Sequence, residues 1–406
     1  MKKMTVFTAL LVALVLLFCS CSFADAPVQS EGIVIPVMKP TAFEIPRNEA
    51  TEFVRDMKAG WNLGNTFDAY DDIGWFEGTG ADMEIAWVKT KTTSYLIETI
   101  HEAGFNTMRL PVSWHNHVDG QYRIDPVWMS RVREVADYAL SRGMYVIVNI
   151  HHDDGEKWIF PDSAHYENSA AYLKTVWLQI ADAFADCDQH LIMEALNEPR
   201  LVGTPYEWSL DLNDPSCQDA ANCINRLNQL FVDTVRSTGG NNADRFLMVS
   251  GYTAGPWHET DPSFVVPKDT VKDRLIISAH AYSPYSFTLQ ENSGDTVFTL
   301  DSGSKDKQDE INGVLDSLYW TFVARGIPVV MGEFGSSDRN GNLQDRVNYT
   351  AWYIASASAR GIPCIIWDNH VFEGNGDAFG LIDRNTCKWV HPDIVLAMIA
   401  NATLSH

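Results

Sequence analysis

Eight short apolar runs, spaced along one uninterrupted chain with helical patterns between them, constrain this sequence more than any other feature. They lie at 59–63, 107–111, 144–150, 191–196, 246–250, 275–279, 329–331 and 364–367. Most are apolar on successive residues rather than on alternate ones, so they read as strands buried on both faces of a parallel sheet. The segments between them carry a different period. Leu173, Val176, Trp177, Ile180, Ala181 and Phe184 form one stripe, and Ile311, Val314, Leu315, Leu318 and Phe322 another. Each is the apolar face of a helix that packs on the sheet. Eight strand–helix units predict an α/β fold, a single closed (β/α)8 TIM barrel; from this pattern alone an open doubly wound sheet is the alternative. No Gly-x-Gly-x-x-Gly turn follows the first run, which argues against a dinucleotide-binding open sheet.

The barrel is expected to take up residues 46–406, because no linker interrupts them. Ahead of it, Met1-Lys2-Lys3, an apolar run over 7–18 and then small residues follow the order of a secretory signal, expected to end at residue 24. Cys21, preceded by Ser20, offers the other outcome, a lipid anchor of the lipoprotein type. Either way a secreted or cell-surface protein is expected, with no membrane-spanning segment, since the run falls short of the ~20 residues a spanning helix needs. Residues 25–45, with Pro27, Pro36 and Pro40, are expected to form a leader. A net charge of −23 would repel phosphate backbones, so no nucleic acid partner is expected. Of the five body cysteines, Cys217 and Cys223 lie close enough in a loop-like stretch to bridge in an oxidising compartment.

The residues at the predicted strand ends carry the chemistry. They are Asn62, Arg109, His151 with His152, Asn197 with Glu198, His280 with Tyr282, Glu333 and Trp367. In a barrel these ends open onto one face, where two carboxylates among histidines, an arginine and aromatic rings make an acid/base cluster. Neighbours on a strand point opposite ways, so only one of His151 and His152 should face the pocket unless the strand has already ended. Stretches 66–90, 153–167, 200–216 and 282–305 are expected to rise around the same face. Trp75, Trp158, Trp208 and Trp257 are candidate sugar platforms, Trp257 foremost because it follows the fifth strand directly. Metal-ligating types are present at His151, His152, Asp153, Asp154 and His280, but consecutive residues converge poorly on one ion and no His-Glu-x-x-His spacing occurs. No metal and no cofactor is expected.

Seven motifs then stand in order over about residues 50–400. They are Trp61-Asn62-Leu63-Gly64-Asn65, Arg109-Leu110-Pro111-Val112-Ser113-Trp114, Asn149-Ile150-His151-His152, Leu196-Asn197-Glu198-Pro199, His280-Ala281-Tyr282, Gly332-Glu333-Phe334-Gly335 and Trp367. In these the chain resembles glycoside hydrolase family 5, and most of all its branch of endo-β-1,4-glucanases and xyloglucanases. The resemblance implies catalytic carboxylates at the ends of strands 4 and 7, Glu198 as acid/base and Glu333 as nucleophile of a retaining hydrolysis, about 5 Å apart. It implies substrate contacts at Asn62, Arg109, His151, Asn197, His280, Tyr282 and Trp367, with Asn197 on the sugar 2-hydroxyl and Trp367 under the ring; His152 joins them as a further contact. Arg109 and Tyr282 would favour a charged Glu333. Glu198, with no such partner in its motif, is expected to stay protonated near neutrality. The expected activity is internal cleavage of β-glucan polysaccharide by a monomer. A β-mannanase and a catalytically silent carbohydrate-binding barrel are the alternatives, the second disfavoured by the presence of both glutamates.

Overall fold

A computed structural model describes residues 26–374 and 377–402, so the expected signal and Cys21 fall outside the described residues. The chain enters through a short helix, α1 (Glu49–Arg55), and then alternates strand and helix: β1 (Ala59–Asn62), α2 (Ser94–Glu102), β2 (Thr107–Leu110), α3 (Pro126–Leu140), β3 (Tyr145–Asn149), α4 (Tyr166–Ala183) and β4 (Leu191–Glu194). The second half continues with α5 (Pro215–Ser237), β5 (Leu247–Val249), α6 (Pro256–Glu259), β6 (Leu275–His280), α7 (Tyr285–Thr288), α8 (Lys305–Thr321), β7 (Val329–Phe334), α9 (Leu343–Ala359) and β8 (Cys364–Ile366). A two-stranded hairpin, β9 (Ile382–Asp383) with β10 (Lys388–Trp389), precedes α10 (Pro392–Asn401). The eight strands are parallel and close into a barrel in chain order, β1 pairing with β8. The closed barrel is thus the observed fold, and the open sheet is not.

Every expected strand is present, with three differences. The fifth crossover carries only a four-residue helix, α6. Strand β7 runs on to Phe334, because His280 pairs with Glu333 across a register shift and extends the ladder. Strand β4 stops at Glu194, short of the Asn197-Glu198 pair, which lies in the following loop.

The barrel interior is layered. Ile147, Ile192, Met248, Ile276, Val330 and Ile365 form an apolar layer, closed at the N-terminal end of the barrel by Ala50, Val54 and Met57 from α1 and its C-terminal flank. Asn48 starts that helix with a capping box, its side chain accepting from the Thr51 N–H at 2.9 Å. Alternate strand residues share a face, so two residues further along β3, β4 and β6 stand Asn149, Glu194 and Ser278, all fully buried. With Asn62 and Arg109 they make a polar layer between the apolar plug and the cleft.

The leader is docked rather than free. Ile33, Ile35, Met38, Phe43 and Ile45 pack half-buried against the core. Its backbone bonds to Asp393, Asn401 and Ala359 on α9 and α10. Cys217 and Cys223 both lie on α5 and carry free, buried thiols, so the loop-like reading of that stretch is corrected. Six residues of helix separate them by about 9 Å along the axis, beyond disulfide reach. Among the described residues, no helix is long and apolar enough to cross a membrane.

One buried acid gives a stability prediction. Glu259 on α6 accepts the Gly251 N–H at 3.0 Å through Oε1, while Oε2 is buried with no hydrogen-bond partner. Burial pushes its carboxyl up from 4.5 to about 8. The folded chain therefore binds more protons than the unfolded chain between those values, and stability falls as pH rises through that window. Glu259→Gln removes the titration, so its stability relative to wild type rises from pH 5 to pH 9 in paired urea melts. Parallel curves for the two proteins would refute the assignment.

Candidate active site

Arg109, at the C-terminal end of β2, organises the floor of the site. Its Nε donates to Glu194 Oε2 at 2.8 Å; Nη1 donates to Glu333 Oε1 at 2.7 Å and Asn62 Oδ1 at 3.1 Å. Its Nη2 donates to Asn197 Oδ1 at 2.7 Å and faces His280 Nε2 at 3.4 Å. All five N–H groups of the guanidinium are thereby directed at protein acceptors. Asn62 also donates to Gly332 O at 2.9 Å. Both Asn62 and Arg109 are fully buried, so the expectation that they touch substrate is corrected: the groups above them fill the space, and they act by holding those groups.

Both expected carboxylates reach one cleft. Glu333, in β7, accepts from Arg109 on Oε1 and from the Tyr282 hydroxyl on Oε2 at 3.0 Å. The residue before it is glycine because a Cβ on Gly332 would sit 3.0 Å from His280 Nε2 and 3.1 Å from Ser278 Oγ. Glu198, in the loop after β4, meets His280 Nδ1 at 2.8 Å through Oε1. Since Nε2 of that ring faces an arginine donor, Nδ1 carries the proton toward Glu198. The expectation of a partnerless, protonated Glu198 is therefore corrected. Burial acts to raise its carboxyl, but the hydrogen bond from His280 and, after it, the charge of Arg200 prevail and hold it below the usual range. His280 in turn is raised by Glu333 and Glu198 against its burial.

The cleft above this floor has a volume of ≈ 1300 Å³, lined among others by His151, His152, Asn197, Glu198, Glu333 and Trp367. Strand β3 ends at Asn149, so the alternation rule does not apply beyond it and both histidines line the cleft. His151 stacks parallel to Trp367, ring centroids 5.9 Å apart, and lies edge-on to His152 at 4.4 Å. Burial holds His151 well below its ordinary value and pushes His152 down to about 4, so both rings are neutral at neutral pH. The His151 Nδ1 faces the Asn149 amide at 3.1 Å, which leaves Nε2 to carry the hydrogen. Trp367 rests against Gly64, where a Cβ would fall 2.7 Å from the indole.

Of the loop tryptophans, Trp208 and Trp257 line the cleft, 62% and 64% exposed. Trp158 instead packs on Tyr122 and Tyr172. Arg200 lies over the Trp208 ring at 4.3 Å and donates to Asp154 at 2.9 Å. The sequence pattern assigned no role to Trp87 and Asn65, which line the cleft wall, or to Glu194, Asn149 and Ser278 beneath it, although Asn65 and Asn149 stand in two of the motifs. A lone acid inside the apolar run of β4 was the signal for Glu194.

Among the described residues, two groups of ligand-type atoms each lie within 4.8 Å of one another: Glu198, His280 and Glu333, and Asp68, His151 and His152. Those of the first group are bonded to each other or to Arg109 and Tyr282. In the second, Asp68 accepts the N–H groups of Asn65 and Thr66, and burial pushes it up to about 7.

A parallel barrel that brings two carboxylates together at the C-terminal ends of its strands, in an aromatic cleft, defines a barrel-type glycoside hydrolase. The family model for cellulase, glycosyl hydrolase family 5, matches residues 70–373. Endoglucanase B of Ruminococcus albus is 41% identical over 370 residues, 90% of this chain and 84% of that protein. A family 5 lichenase from Caldicellulosiruptor sp. F32 superposes with a TM-score of 0.89 at 50% identity, over 91% of this chain and all of that one. A xyloglucan-specific endo-β-1,4-glucanase from a metagenomic library, solved with cellotriose, gives 0.78 at 33% identity over 86% of this chain and 98% of that one. The chain belongs to glycosyl hydrolase family 5.

Proposed function

We propose that this protein is a retaining endo-β-1,4-glucanase that cleaves internal bonds of β-glucans. The observation that carries the mechanism is the placement of a Glu198 oxygen and a Glu333 oxygen within 4.8 Å of each other. Retaining enzymes hold their carboxyl groups about 5–5.5 Å apart, whereas inverting ones leave room for a water between them. Glu333 attacks the anomeric carbon and forms an ester as the glycosidic C–O bond breaks. Glu198 gives its proton to the departing oxygen. Water then attacks the same carbon, Glu198 takes its proton, and Glu333 leaves as a carboxylate.

The resting site holds Glu198 low, so substrate must return its proton. Burial already acts to raise this carboxyl, and a sugar that displaces water from its 17% exposed side chain strengthens that influence. The His280 bond occupies Oε1 and leaves Oε2 to carry the proton. Asn197, with Oδ1 fixed by Arg109, turns its Nδ2 donor toward the sugar hydroxyl. Trp367 supplies the stacking face at the cleavage subsite.

A neutral polymer suits a chain of charge −23, and an unbranched or mixed-linkage β-1,4-glucan is placed first, then xyloglucan, then mannan. Relatives named as lichenase, broad-specificity endoglucanase and xyloglucan-specific endoglucanase support that order. Export through the N-terminal signal brings such an enzyme to its polymer. Reducing ends and viscosity measured together on carboxymethylcellulose, barley β-glucan, xyloglucan and glucomannan test the reading: viscosity falls faster than reducing ends accumulate. Silence on all four by folded protein would overturn it.

Trp257→Ala lowers kcat/KM on barley β-glucan about tenfold through a raised KM, the worth of one aromatic stacking contact. The loss is smaller on an aryl β-cellobioside, which is too short to cover the whole cleft. Equal losses on both substrates would assign Trp257 to packing.

A further inference from the structure

We propose that Glu194 is a positioning residue that sets how much of the Arg109 charge reaches Glu333, and thereby the balance between attack by Glu333 and its release from the ester. This rests on the retaining reading above. Glu194 touches no substrate, since it is fully enclosed in the barrel interior. Its Oε2 accepts Arg109 Nε at 2.8 Å and Asn149 Nδ2 at 3.0 Å, and its Oε1 accepts the Ser278 hydroxyl. Asn149 is itself pinned by the Val112 N–H at 3.1 Å. Four barrel strands, β2, β3, β4 and β6, supply these groups, so the arrangement is rigid.

One guanidinium thus stands between two carboxylates, Glu194 on Nε and Glu333 on Nη1. In an interior of low dielectric each anion weakens the hold of the cation on the other. Only one of them changes during the reaction. Glu333 loses its charge when its oxygen bonds to the anomeric carbon and regains it when water replaces it. Glu194 forms no bond to the sugar and keeps its contacts to Arg109, Asn149 and Ser278. In the ester state it leaves Arg109 neutralised, where a lone buried guanidinium would otherwise stand unpaired. In the free state it draws off part of the Arg109 charge, so Glu333 is not held too tightly to attack.

Glu194→Gln isolates the charge from the geometry. The amide carbonyl accepts from Arg109 and Asn149, and the amide N–H₂ meets the Ser278 hydroxyl, which turns to accept. With a dinitrophenyl β-cellobioside in stopped flow, formation of the ester slows on the order of 10²-fold. Its hydrolysis is not slowed, because release of Glu333 restores the counter-charge of Arg109, and the acidic limb of kcat/KM moves to lower pH by about one unit. Glu194→Asp, which keeps the charge, returns the limb to its wild-type position. Ser278→Ala withdraws a donor from Glu194, exposes more of its negative field to Glu333 and moves the limb the opposite way; this variant decides the matter if Glu194→Gln does not fold. An unmoved limb in Glu194→Gln with both steps slowed alike, or no movement in Ser278→Ala, overturns the proposal. Failure of a 2-deoxy-2-fluoro-cellobioside to leave a mass adduct on the wild type overturns instead the retaining mechanism on which it rests.

Discussion

Glu333→Ala leaves a folded barrel whose hydrolysis of β-glucan falls on the order of 10⁵-fold, as expected when a covalent nucleophile is removed. Azide enters the vacated space and restores turnover of an aryl β-cellobioside that needs little acid assistance. The product reports the geometry. Attack from the face that Glu333 occupied gives the α-glycosyl azide, with one inversion in place of two. In Glu198→Ala the nucleophile still forms the ester, and azide replaces water in the second step to give the β-glycosyl azide. The pair of outcomes follows from the two carboxylates occupying opposite sides of the scissile bond. The folded state is expected to survive, because Arg109 retains Glu194 as its counter-charge when Glu333 is truncated. Unchanged turnover in Glu333→Ala, or the same anomer from both variants, would remove the roles assigned to them.

Arg109→Lys is the second large effect, and it acts without touching substrate. The guanidinium offers five N–H groups to five acceptors: Glu194, Glu333, Asn62, Asn197 and His280. An ammonium has three and cannot spread them in a plane. At least two acceptors lose their donor, and the Asn197 amide loses the bond that fixes its Oδ1. We expect kcat/KM to fall on the order of 10³-fold. The stability loss should be smaller than the ~3–5 kcal/mol that follows when a buried ion pair loses one charge, because the positive charge remains. Circular dichroism melts and kinetics on barley β-glucan separate the two. Wild-type kcat/KM in folded Arg109→Lys would show that the fork geometry is dispensable.

Both predictions depend on a feature that a linear reading located only in part. The glutamates at 198 and 333 were legible because each follows an apolar run, as were the eight strands and their parallel order. The helical stripes on α4 and α8 are buried as their spacing required. His152 was half legible: alternation would have turned it away, but the end of β3 at Asn149 releases it into the cleft. Glu194 was illegible in its role. Its position in the chain showed only an acid in a hydrophobic strand, and its partners are 85 residues away at Arg109 and 84 away at Ser278.

The chain by itself determined the periodicities, and with them the class of fold, the number of barrel strands and the two acids, Glu198 and Glu333, that come after two of the apolar runs. Those properties are local, because a strand or helix stripe is written in residues a few positions apart. Only closure of the barrel decided depth. The pairing of β1 with β8 and the register of the strands bring Asn62, Arg109, Asn149, Glu194 and Ser278 into one buried layer, and Asn197, Glu198, His280 and Glu333 into the site above it. Whether a polar side chain at a strand end meets sugar or holds its neighbour depends on that depth. No span of adjacent residues encodes it.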